Sequence, residues 1–481
     1  MPERQPVVIV GGGWAGLAAA VELCAHQIPV TVLESARQSG GRARSIRASD
    51  MIIDNGQHLF IGAYRSVLGL MDRIGVDRQR AFLRQPLTLR LMKGNKISLH
   101  FKVPSLPAPL HLLSAILTAR GLSTTDRIQA LRFGRRLPEL SISDHEDISV
   151  QALLRSEAQT PALIRKLWGP LCIAALNTPL DEASARIFLR TLRESFLGLR
   201  RHSDLLIPRL ALGEVLPLPC ADYLQQRGGR IEPGQRVTSL EIEDTGIQAV
   251  KIRERRIEAS QVILAAPHII SRRLMSRHHP LQALCAQLSE LGNEPVITLY
   301  LQYPPQTCLP QPMVGLEDTL AQWVFDRRVC GQPGLMAVVI SARGCHGQMK
   351  TDQLTQRVAA ELATSFPDWP AHEQSLLIRE KRATFSSRVG IDQIRPANRT
   401  PVSGLWLAGD YTANGLPATL EGAVRSGIAC AQAILGSHYL GVGKLADISL
   451  QDTLYPRAEG EEWDIPRGSS GGPSLATQFT L

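Results

Sequence analysis

The chain has 481 residues, enough for two or more domains with a buried core, and its 44% hydrophobic and 20% charged residues exclude a disordered or fibrous protein. The net charge of +9 fits either a solvated basic surface or an anionic partner, but no nucleic-acid-binding motif accompanies it, so nucleic acid is not an expected partner. Eight scattered cysteines form no CxxC pair, which argues against a metal site or dithiol centre, and no run of about 20 apolar residues predicts a membrane-spanning helix.

Residues 7–34 read as a βαβ unit: strand Val7–Val10, a helix from Trp14 to Ala25, and strand Val30–Glu34. The first apolar run leads straight into glycines, so it reads as a buried strand and not a signal peptide. Between strand and helix stands Gly11-Gly12-Gly13-Trp14-Ala15-Gly16. Gly11 permits the tight turn, Gly13 lets a pyrophosphate approach the backbone, and Gly16 lets the helix pack on the strand. The helix N-terminus at Trp14 and Ala15 then faces the negative charge. Glu34, 23 residues after Gly11, can accept hydrogen bonds from a ribose hydroxyl pair. A plain glycine turn is the competing reading, and the strand, helix and acid in register weigh against it.

Next comes Gly40-Gly41-Arg42, whose arginine can reach phosphates or a flavin edge. Residues 63–74 predict an amphipathic helix, 87–102 a hairpin around Lys93-Gly94-Asn95, and 108–200 a helical region. Val237–Ile252 alternates like two strands, Val262–Pro267 reads as a buried strand, and 295–385 as mixed strands and helices. Strand Leu405–Ala408 runs into Gly409-Asp410, and a helix is expected from about Pro417 to Leu435. A carboxylate at a strand end beside a helix N-terminus suits a ribityl hydroxyl or a phosphate-bound water. From about 456 the composition is that of a disordered linker.

These elements resemble the amine oxidase and phytoene desaturase superfamily, in which a GxGxxG, a GGR loop and a C-terminal GD…EGA helix grip one extended FAD. The resemblance spans about residues 5–437. It implies an α/β fold, with a doubly wound Rossmann-like FAD-binding domain assembled from 1–85, 205–275 and 395–440. A discontinuous α+β substrate domain would take 86–204 and 276–394. It also implies FAD contacts at Gly11, Gly13, Trp14, Ala15, Gly16, Glu34, Gly41 and Arg42, at Val237 on the adenine side, and at Gly409, Asp410, Thr419, Glu421 and Ala423. No cysteine occurs in 409–423, so FAD is expected to be non-covalent.

Local stretches narrow the likeness. Asp54-Asn55-Gly56-Gln57-His58, Ala174–Pro179, Ser203–Arg209 and Asp410-Tyr411-Thr412 with Gly415–Thr419 are similar to the hydroxysqualene dehydroxylase family. That likeness implies reduction of an allylic C30 isoprenoid alcohol to squalene in hopanoid or related isoprenoid biosynthesis, with an electron donor that the residues do not identify. His58 is then the first candidate proton donor with Asp54 orienting it, although both residues can equally shape the loop beside the flavin. Asn177 and Tyr411 can donate to the hydroxyl or be satisfied structural polar groups.

Three other functions remain open. The C-terminal motif is also similar to carotenoid-type desaturases. An amine oxidase needs an aromatic pair, of which only Tyr411 is evident. A flavin-free prenyl-protein carrier would have no need of a phosphate cradle. Finally, the apolar stretch 106–120, followed by Arg127, Arg132, Arg135 and Arg136, suits either a helix lying in an anionic membrane surface or an ordinary core helix. The expected location is cytoplasmic, with peripheral attachment to the membrane's inner face as the companion expectation.

Overall fold

Val7–Val10 is apolar and buried at all four positions, as the centre of a parallel sheet requires. In the computed structural model, which describes residues 5–48, 51–141 and 146–439, it pairs in parallel with Val30–Glu34 on one side and Val262–Leu264 on the other. Arg230–Pro233 extends the sheet past Val30–Glu34, and Leu405–Leu407 closes the opposite edge. Strands from three distant stretches of chain therefore lie side by side, and the strand leading to Gly11 is separated from the strand leading to Asp410 by one neighbour. The linker-like segment from 456 lies outside the described residues.

Helix Trp14–Ala25 is apolar almost all round because it is covered almost all round. It packs on the C-terminal helix Leu420–Tyr439 so tightly that a Cβ at Gly427 would stand 2.0 Å from the Ala15 carbonyl oxygen. That helix starts three residues later than the sequence suggests. Thr419 is its cap, accepting the Gly422 N–H at 3.1 Å on Oγ1, so Pro417 lies ahead of the first turn. Val237 also differs from expectation. It is buried, but in an irregular segment between strands Arg230–Pro233 and Ser239–Glu243.

The second sheet has seven strands in the order Gln374–Thr384, Glu294–Gln302, Leu335–Ser341, Trp323–Asp326, Met313–Leu316, Thr88–Lys93 and Lys96–Lys102. All its pairings are antiparallel except that of Met313–Leu316 with Thr88–Lys93. Side-chain alternation splits its two faces. Ile297, Leu299 and Leu301 pack with Leu354, Val358 and Leu362 of helix Thr351–Ser365, whereas Tyr300 turns to the main core. Helices fill the region from 110 to 196, four of their segments starting at hydroxyl caps on Ser123, Ser149, Thr160 and Ser184.

Polar clamps tie the second sheet to the separate pair of strands Ser45–Ala48 and Met51–Asp54. Arg327, just after Trp323–Asp326, donates to Asp54 Oδ2 at 2.9 Å, with both side chains 2% exposed. Tyr300 Oη donates to the Asp54 carbonyl at 2.9 Å.

Candidate functional site

Residues of both sheets line one cavity of about 840 Å³, at the large end of small-molecule sites. Its nucleotide end is built from main chain. Gly11 has φ +114°, and a Cβ there would stand 2.6 Å from the Ala265 carbonyl oxygen, so the turn accepts only glycine. A Cβ at Gly16 would stand 2.0 Å from the Gly11 oxygen. Helix Trp14–Ala25 begins without a side-chain cap and without an acid in its first turn. Gly13, Trp14 and Ala15 line the cavity there, and a Cβ on Gly13 would find only Gly41 Cα, at 3.9 Å. Uncapped N–H groups opening on a cavity suit a pyrophosphate.

Glu34, 7% exposed, lines the same space. Its Oε2 accepts the Gly12 N–H and its Oε1 the Ala36 N–H, each at 2.7 Å, which fixes the carboxylate and leaves lone pairs for ribose hydroxyls. Gly40 donates its N–H to the Gly12 oxygen at 2.8 Å, bringing Gly41 and Arg42 beside the turn. Arg42 donates to Asp410 Oδ1 and to the Ala383 carbonyl, both at 2.6 Å. One side chain thus joins the first motif, the last motif and the large sheet. Gly41, Val237, Gly409, Thr419 and Ala423 complete the rim.

Two residues that sequence reasoning missed hold the Asp410 loop. Arg395, whose side chain is wholly inaccessible, donates to the Asp410 and Leu416 carbonyls at 2.9 and 2.7 Å and to Asn414 Oδ1 at 2.9 Å. Asn398 Nδ2 donates to the Leu407 carbonyl at 2.7 Å and to Ser426 Oγ at 2.8 Å. An arginine before a strand carries no local signal of such a role. Glu421 has a further role: its two carboxylate oxygens accept the Ser66 and Val67 N–H groups at 3.0 Å, capping helix Arg65–Arg73. It touches the cavity wall, but its oxygens serve that helix.

The four catalytic candidates separate. Asp54 does not orient His58. Its oxygens accept from Arg327, from Leu212 N–H at 2.8 Å and from Ser45 Oγ at 3.2 Å, and it lies off the cavity wall. Asn177 caps a helix in the left-handed region, φ +49°. Its Oδ1 accepts the Ala342 N–H at 2.6 Å, and its Nδ2 donates to Thr384 Oγ1 at 2.9 Å and to the Pro295 carbonyl at 3.3 Å. Both amide hydrogens are occupied, so it has none to give a substrate. Tyr411 is buried, its phenol pushed up by burial, and its Oη bonds Ser271 Oγ at 3.2 Å. Ser271 Oγ also lies 3.2 Å from the Ala266 carbonyl oxygen, so the Tyr411 hydroxyl is engaged within the protein although the residue lines the cavity.

His58 lines the cavity, as do Asn177 and Tyr411, and it alone of the three keeps a polar atom free of hydrogen bonds among the described residues. Its Nδ1 lies 2.8 Å from the Gly56 carbonyl oxygen. A carbonyl only accepts, so Nδ1 carries a hydrogen, and Nε2 makes no hydrogen bond among the described residues. Burial lowers the imidazole pKa below its ordinary value, outweighing the Gly56 bond. The far end of the cavity is apolar, walled by Leu89, Leu171, Phe188, Met313, Trp323 and Phe325. No cluster of metal-ligating side chains occurs among the described residues.

Comparison with known proteins agrees with this geometry. A model of the flavin containing amine oxidoreductases matches residues 14–435. Hydroxysqualene dehydroxylase of Zymomonas mobilis is 26% identical over 436 residues, which is 87% of this chain and 96% of that protein. Zeta-carotene desaturase of Arabidopsis thaliana is 25% identical over 479 residues, covering 89% of this chain and 85% of that one. The solved structure of an oxidoreductase from Methanosarcina mazei shares the fold with a TM-score of 0.70 at 17% identity, covering 89% of this chain and 99% of its own. The chain belongs to the flavin containing amine oxidoreductase family, and FAD is the cofactor of this oxidoreductase.

Proposed function

We propose that this enzyme reductively dehydroxylates hydroxysqualene, an allylic C30 alcohol, giving squalene and water in hopanoid or related isoprenoid biosynthesis. The observation that carries the reading is a cavity whose far end is walled by leucines and aromatic rings while its near end is the nucleotide cradle. A long hydrocarbon with one hydroxyl matches such a wall. The likeness to hydroxysqualene dehydroxylases points the same way.

In this reading residues 1–85, 205–275 and 395–440 hold FAD, and 86–204 with 276–394 hold the isoprenoid. The Trp14 helix end faces the pyrophosphate, Glu34 the ribose, Val237 the adenine side, and Arg42 with Asp410 the flavin end. The absence of cysteine from 409–423 favours non-covalent attachment. Bound and reduced, FAD supplies a hydride; an external donor restores it.

The remaining tasks fall to side chains of this chain. The allylic C–O bond breaks when its oxygen receives a proton, and the product balances as hydrocarbon plus water. His58 Nε2 delivers that proton, with Nδ1 held by Gly56 so that the ring presents one edge. Its lowered pKa makes the imidazolium a stronger acid than free histidine. Trp323, Phe325 and Phe188 would exclude water there, which would protect a developing allylic cation from capture by hydroxide.

Product analysis tests the reading. Reduced holoenzyme incubated anaerobically with hydroxysqualene should form squalene. The desaturase likeness favours a second reading, electron flow from substrate to flavin. Flavin bleaching when oxidised enzyme meets a carotene, with no squalene in the first assay, would replace the proposal with that one.

A further inference from the structure

No helix among the described residues is long and apolar enough to cross a membrane. Positive charge is nevertheless concentrated in one stretch of the chain. Residues 78–138 hold twelve arginines and lysines against a single acid, Asp126, although Arg78, Arg84, Lys93 and Arg136 pair with acids outside the stretch. Asp126 is itself buried, closing the capping box with Ser123 and bonded to Thr160.

The same stretch exposes a row of leucines. Leu110, Leu113 and Leu117 of helix Leu110–Thr118, with Leu106 ahead of it, follow a helical spacing and are 40–51% exposed, while His111, Ala115 and Ile116 face inward. Ile128 on helix Thr124–Arg136 adds a further exposed apolar side chain. Cations flank this row in the chain and in the strands beside it. Arg120 ends the leucine segment, and with Arg90 and Lys102 it bears on His100, whose pKa is lowered by burial and then by those three charges. Exposed Arg132 and Arg135 stand on the next helix and form no ion pair among the described residues.

The face also adjoins the cavity. His111 lies close enough to Arg200 and Asp204 to feel both charges. The chain between Phe196 and Ser203, which both line the cavity, exposes Leu197 and Leu199. A second copy of the chain would set this basic rim against its own image and be repelled. A bilayer with anionic headgroups satisfies the leucines and the cations together.

We propose that this face docks on an anionic lipid bilayer. Leu110, Leu113 and Leu117 enter the interfacial region, Arg120, Arg132 and Arg135 meet lipid phosphates, and the 196–203 wall of the cavity is brought to the membrane. Docking stands on the surface alone; that an apolar substrate enters there rests on the function proposed above.

Flotation of the flavin-loaded enzyme with vesicles tests it. At low salt the protein should float with phosphatidylcholine vesicles containing phosphatidylglycerol about tenfold more than with phosphatidylcholine alone, and added salt should weaken this. The double variants Leu113→Glu/Leu117→Glu and Arg132→Glu/Arg135→Glu should each lower flotation about tenfold, with flavin content and melting temperature unchanged. No flotation at low salt, equal flotation on both vesicles, or a dimer lost in the leucine variant without vesicle binding would overturn the proposal. If flotation holds while no squalene forms, the function proposed above fails and the docking stands.

Discussion

The two ends of the cavity use the chain in opposite ways. The nucleotide end works through main chain: a left-handed glycine, an uncapped helix N-terminus, and a carboxylate locked by two backbone N–H groups. The apolar end works through side-chain volume supplied by strands and helices far apart in sequence. Backbone geometry tolerates little change, since a single Cβ at Gly11 or Gly16 meets a carbonyl oxygen. An apolar wall tolerates repacking. A frame fixed at one end and adjustable at the other fits a chain whose relatives carry both dehydroxylase and carotene desaturase names.

The largest effect is expected at the buried clamp that ties the second sheet to the Ser45–Asp54 strand pair. Arg327→Met leaves Asp54 buried without its cation and should cost about 3–5 kcal/mol of stability in urea unfolding; a loss below about 1 kcal/mol would show that the clamp is dispensable. At the reacting edge, His58→Gln should lower kcat about a hundredfold while leaving FAD affinity intact. In the wild type kcat should fall as pH rises through a pKa below the ordinary histidine value of about 6.5, and the variant should lack that inflection.

At the main-chain end, Glu34→Ala should weaken FAD binding about tenfold or more, measured by flavin release, because an acceptor for the ribose and for Gly12 is lost together. At the other end, Trp323→Leu should raise the substrate KM a few-fold and leave flavin binding unchanged, since the site can repack. If Trp323→Leu released flavin, the division between the ends would be wrong.

Acid provides a milder probe that acts on both. Burial, reinforced by Arg65 and Arg201, lowers the pKa of His202 to about 4, and burial likewise lowers that of His268 to about 4. The unfolded chain takes up these protons near pH 6.5 and the folded chain near pH 4, so the unfolded state binds more protons in between. Stability should therefore fall as pH drops through that window, seen as a declining melting temperature, and His202→Gln should flatten the decline.

What could be read from sequence divides along the same line. Gly11 to Gly16 and Glu34 were legible because neighbours in the chain fix a turn and a helix end, and the helical region after 108 because its apolar spacing is local. Asp54 was visible as a polar residue in the flavin loop, but its partner Arg327 lies 273 residues away, so it was read as an orienter of His58. The partners of Asn177 and Glu421 are illegible for the same reason: Ala342 and Thr384 for one and Ser66 and Val67 for the other become neighbours only through the fold. Arg395 gave no sign at all, since a buried arginine binding backbone carbonyls has no spacing to betray it.

In the function proposed above, one cavity places an allylic alcohol against reduced flavin beside His58. The most direct test is a single-turnover mixing experiment, with reduced holoenzyme and excess hydroxysqualene followed anaerobically by flavin absorbance. The account predicts reoxidation of the flavin in step with squalene, one for one, slowed about a hundredfold by His58→Gln. Flavin that stays reduced, or squalene formed at the same rate by the variant, would contradict it.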